Sequence, residues 1–160
     1  MTRIACPLLT MVVILALPVI GQKYEGMPVK SGQATATYGG KAMTFTHAEG
    51  GLQQMGGFTT ATLVFRPDSK SKGDPHLNIT VMYQGPGKVD LDSAFSMSGI
   101  SMFVAGDVAR FTKRKSKCAV TLTKATPTEL EGAVDCPLLH NIGGEAMAPL
   151  TVQKFAATTK

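Results

Sequence analysis

Tryptophan is absent from this chain, and all aromatic residues together make up only 6% of it. That excludes a broad platform for stacking nucleobases. Cysteine is scarce, with three in 160 residues and no CxxC spacing, so a cysteine-based metal centre has no support. Catalytic fingerprints are missing as well. There is no GxSxG elbow, and the histidines His47, His76 and His140 show no HxH or HxxxH spacing. The loop from Asp68 to Asp74 lacks the terminal glutamate of an EF-hand. No stretch keeps a helical period over eleven or more residues; Asp90 to Met97 is the best helical candidate and is short and serine-rich. These absences point to a non-enzymatic protein with no cofactor and no metal.

What is present is apolar mass and many turns. Hydrophobic residues reach 44%, enough to bury a core. Gly and Pro account for 26 of the 160 residues, about 16% against an average near 12%. At this length one domain is the expectation.

The first segment reads as an export signal. Arg3 is the only charge before Lys23, and Leu8 to Leu17 is almost wholly apolar. A basic start, a short apolar run and then a helix breaker, here Pro18, is the secretory pattern. Small residues at Val19 and Gly21 place cleavage after Gly21. Residues 1–21 are thus a signal helix, and residues 22–160 are a secreted or periplasmic domain with no transmembrane span. Loss of Arg3 lowers the formal net charge from +5 to +4.

Cleavage also removes Cys6 and leaves Cys118 and Cys136, an even pair that reads as a disulfide. Cys118, Val120 and Leu122 share one apolar face; Leu130, Gly132, Val134 and Cys136 share another. Folded as a hairpin about Pro127, these runs oppose Cys118 to Cys136, Val120 to Val134 and Leu122 to Gly132. Directly opposed residues in an antiparallel pair are close enough for a bridge.

Other segments alternate in the same way. Ala34 to Tyr38 and Lys41 to His47 flank Gly39-Gly40, the signature of a tight hairpin turn. Thr60 to Arg66 and Leu77 to Tyr83 alternate, separated by a polar loop from Pro67 to Pro75. Weaker strands are expected near Phe95/Met97, Ile100 to Val104, Ala109 to Thr112 and Leu150 to Phe155. Roughly eight to ten short strands result, which argues for an all-β fold. The expectation is a single-domain antiparallel β-sandwich, with a small closed β-barrel as the alternative.

The densest surface feature is a cluster of five cations, Arg110, Lys113, Arg114, Lys115 and Lys117, with no acid between them. Without it the mature charge would be −1, so the excess charge is concentrated here. Such a cluster suits an anionic glycan, a lipid head group or another polyanion, extracellular nucleic acid included. Softer signals are a Met43/His47 face suited to Cu(I), paired carboxylates at Asp90/Asp92 and Glu129/Glu131, and a glycosylation sequon at Asn78. The reading is an exported binding or structural module. The alternative is a barrel carrier whose small inward residues, Ala34, Ala36, Ala61 and Gly132, leave room for an apolar ligand.

Overall fold

A computed structural model describes residues 26–92 and 97–160. Twelve strands form among these residues: β1 (Gly26–Pro28), β2 (Ser31–Tyr38), β3 (Lys41–Phe45), β4 (His47–Met55), β5 (Phe58–Arg66), β6 (His76–Tyr83), β7 (Gly87–Val89), β8 (Gly99–Val104), β9 (Asp107–Arg110), β10 (Ala119–Ala125), β11 (Glu129–Cys136) and β12 (Leu150–Thr158). No helix occurs among them. The proposed signal helix, Phe95 and part of the Asp90 to Met97 helical candidate lie outside the described residues; Leu91 and Asp92 form a turn.

The strands make two antiparallel six-stranded sheets, ordered β1-β4-β5-β6-β8-β9 and β3-β2-β12-β11-β10-β7. They pack on a shared core that includes Phe45, Phe65, Leu63, Ile79, Leu130 and Phe155. The strands that cross between sheets explain the packing. Phe45 ends β3 in one sheet, and His47 begins β4 in the other. Thr46 turns the corner, held by its amide to Arg66 O at 3.1 Å and its hydroxyl to Pro67 O at 2.5 Å. The chain changes sheet again between Tyr83 and Gly87. At the first corner β4 runs over β2, where a Cβ on Gly32 would lie 2.5 Å from that of Ala48. At the second, the Tyr83 hydroxyl at the end of β6 donates to Thr126 O at 3.3 Å, in the β10–β11 turn. Both changes of sheet thus bring an element of one layer against an element of the other.

The closed barrel is not what forms. The sheets end at β1 and β9 and at β3 and β7, and these end strands do not pair with one another into a ring. Two of the small inward residues, Gly132 and Ala34, make room for a core side chain. Phe155 lies opposite both Gly132 and Ala34, and a Cβ on Gly132 would come within 3.0 Å of the Phe155 ring. The missing side-chain volume is therefore filled from within. Register shifts fall at Leu122/Lys124, Gly132/Val134 and Val152/Lys154, in the three consecutive pairings β10–β11, β11–β12 and β12–β2. Each bulge bends its strand and raises its twist, so together they curve the sheet around the core without closing it.

Tyr83 is 5% exposed, and burial pushes its phenol up to about 12 from 10.0. The folded state favours the neutral phenol. That contribution is complete below pH 10 and is lost as pH rises through about 12. Unfolding free energies measured by urea titration between these limits should fall with pH, and Tyr83→Phe should flatten the slope. Tyr38, also raised by burial, leaves a residue of slope in that variant. Equal slopes in both proteins would overturn the assignment to Tyr83.

Candidate functional site

The five cations sit on the connection from β9 to β10. Arg110 ends β9 and exchanges backbone hydrogen bonds with His140: Arg110 N to His140 O at 2.8 Å, and His140 N to Arg110 O at 2.9 Å. The long β11–β12 connection thereby covers the outer edge of β9, which would otherwise expose unpaired backbone. Phe111 N continues the ladder to Ile100 O at 2.7 Å. The chain then tightens into a turn, with Lys115 N and Ser116 N both donating to Thr112 O at 3.0 and 2.9 Å.

A buried polar pair holds this turn from beneath. Ser116 is 0% exposed and His140 is 6% exposed, and Ser116 Oγ lies 3.1 Å from His140 Nδ1. The same hydroxyl accepts from Thr112 N at 2.8 Å. A buried hydroxyl and imidazole without partners would cost about 1–3 kcal/mol each, so mutual satisfaction fixes the turn against the sheet edge. Asp92 Oδ1 accepts from Arg114 N at 2.6 Å on the other side. Arg114 and Lys117 take left-handed φ values of 62° and 49°, uncommon for residues with a Cβ.

The disulfide closes the site. Cys118 and Cys136 are bonded, with Cα atoms 4.1 Å apart. The hairpin register is the one the alternation predicts: Val120 opposes Val134 and Leu122 opposes Gly132, before the bulge shifts the pairing by one. Lys113, Arg114, Lys115 and Lys117 are exposed around Ser116, the single buried side chain among them. Arg110 is exposed too, but its guanidinium donates to Ile142 O at 3.2 Å. The result is a cationic turn whose backbone is clamped at Thr112, Arg114, Ser116 and Cys118. Sequence reading finds the cations and the disulfide and misses the clamp. Ser116 and His140 are 24 residues apart, and neither sits in a motif.

The remaining candidates fall elsewhere. Met43 belongs to β3 and His47 to β4, on different sheets, so the shared face expected of them does not exist. No group of three His, Cys, Asp or Glu side chains converges among the described residues. Asp90 accepts from Asp92 N at 3.0 Å. Glu129 pairs with Lys124, and Glu131 with Lys154 at 3.4 Å. The hydrogen bond from Lys124 holds the Glu129 carboxyl below its usual range. Asn78 is half-buried within β6 between Val64 and Ser101, less open than its alternation suggests. Comparisons of the chain with protein-family models, with curated proteins and with solved structures find no match.

Proposed function

We propose that this chain is an exported, non-enzymatic binding module that holds anionic polymers on the Arg110–Lys117 turn. The observation that carries the reading is a set of four exposed cations on a backbone clamped from both sides. A solvated connector has no need of a buried Ser116–His140 pair beneath it. Consecutive Cα atoms stand about 3.8 Å apart, so neighbouring cations on the turn lie inside a Debye length of about 8–10 Å and act jointly on a polyanion. Because the clamp orders the backbone beforehand, less conformational entropy is lost on binding. Export of residues 22–160 rests on the apolar segment ending at Pro18. A disulfide is compatible with a non-cytoplasmic location, and no helix among the described residues is long and apolar enough to cross a membrane.

Retention on heparin resin against salt tests the proposal. Changing Lys113, Arg114, Lys115 and Lys117 together to Gln should move elution to lower salt. The log–log salt slope of affinity should drop by up to about four, near one per cation removed. Elution at the same salt as wild type, with an unchanged melting temperature, would sink the reading.

A further inference from the structure

A groove of about 470 Å³ lies at the other end of β10 from the basic turn. Its construction follows from register. Lys124 on β10 opposes Glu131 on β11, Glu131 opposes Ala156 on β12, and Ala156 opposes Gln33 on β2. These four share the outer face of one sheet. Ala156 has only a methyl group between longer neighbours, so the surface sinks there. One strand step further on, Glu129, Thr158 and Ser31 form a second row. Thr46 and His47, at the corner between the sheets, wall the far side. The volume falls within the roughly 300–1,000 Å³ range of small-ligand sites.

The lining chemistry selects a ligand class. Ser31, Gln33, Thr46 and Thr158 supply hydroxyls and an amide; Glu129 and Glu131 supply carboxylates; Lys124 and Lys30 supply ammonium groups. Acceptors and donors stand side by side in the Lys124–Glu129 pair. Vicinal sugar hydroxyls use both at once, donating to the carboxylate and accepting from the ammonium. A bare anion would meet two carboxylates, and an apolar ligand would leave the polar lining unpaired. Glu129 and Glu131 each have a lysine partner, Lys124 and Lys154. Lys30, at the rim, has no ion pair among the described residues, and its ammonium is left for a charge on the ligand. We infer that this groove binds a short stretch of glycan carrying a carboxylate, such as a uronic-acid sugar.

This goes beyond the polyanion reading and does not depend on it. The turn and the groove are about 20 Å apart along β10, twice the Debye length. The turn responds to charge alone, whereas the groove requires hydroxyls.

Amide chemical shifts of the full chain, followed during titration with a galacturonic-acid tetrasaccharide and with its carboxyl-reduced neutral counterpart, test the inference. Shifts should appear for both ligands at Ser31–Gln33, Glu129–Glu131 and Ala156–Thr158. Lys30→Gln should weaken the acidic sugar by about fivefold and leave the neutral one unchanged. Ala156→Phe should fill the groove and abolish both, with the melting temperature checking its fold; Gln33→Ala should weaken both and serves if that variant fails to fold. Retained groove shifts in the quadruple Gln variant of the basic turn would show the two sites to be separate. Shifts confined to Lys113–Lys117, or none at millimolar sugar, would overturn the groove inference. The first of these would leave the turn reading standing. Unchanged affinity in Lys30→Gln would overturn the preference for an acidic sugar.

Discussion

Replacing Phe155 by Ala is expected to lower the unfolding free energy by about 3–5 kcal/mol, toward the upper end of that range. Phe155 is fully buried and meets Phe65 of the opposite sheet edge-on, with ring centroids 6.2 Å apart and planes at 62°. The pair therefore ties the two layers together. The cost of a large-to-small change depends on how far the surroundings collapse into the space. Here the residues opposite Phe155 are Gly132 and Ala34, which have no side-chain length to contribute. The cavity should stay open. Urea unfolding monitored by circular dichroism gives the value, and a loss below about 1.5 kcal/mol would show that the sheets close over the gap. Phe65→Ala should behave alike. The double variant should cost less than the two losses added, because the rings share one contact.

Changing Cys118 and Cys136 together to Ala should cost about 2–4 kcal/mol. The bridge spans 18 residues, and closing a loop of that size removes about 3 kcal/mol of chain entropy from the unfolded state. It also joins the end of β11 to the start of β10 beside the Ser116–His140 clamp, so its loss should loosen the basic turn first. Hydrogen exchange at Thr112, Lys115 and Ser116, whose amides the turn protects, should quicken more in this variant than exchange in β5 or β6. Wild type treated with reductant should match the variant in urea unfolding. If reduced wild type keeps its full stability, the bridge is not a stabilising element and the hairpin is held by its packing alone.

The legible part of the fold was the part in which alternation ran unbroken. In β10 and β11 every second residue is buried up to Leu122, and a period of two fixes both face and register. The same holds for β5 and β6, which bury Ala61, Leu63 and Phe65 against Leu77, Ile79 and Val81. β4 was not legible. Its inward positions are Ala48 and Leu52, with Gly50 between them, and Gln53-Gln54 follow. Gly50 takes a φ of +119°, and a Cβ there would sit 1.9 Å from Thr62 O. The glycine that makes the strand possible also erases its signal. In the sequence His47 reads as a continuation of the β3 run, although it begins β4. Nothing at Thr46 announces a change of sheet, because the bonds that turn the corner come from Arg66 and Pro67, about twenty residues away.

By itself, the sequence determined the local quantities: the β character, the hairpin that carries the disulfide, and the density of charge between Arg110 and Lys117. Each depends on residues close in the chain, or on a pairing that a period of two dictates. Tertiary structure alone decided whether the sheets closed, what held the basic turn, and where a groove could form. Those outcomes depend on long-range neighbours: the end strands β1, β9, β3 and β7 that do not pair with one another, His140 beneath Ser116, and Ala156 sunk between Glu131 and Gln33. Side chains from distant segments meet only after the backbone has been placed. The chemistry of a site assembled from them is therefore absent from any local pattern, however regular its strands.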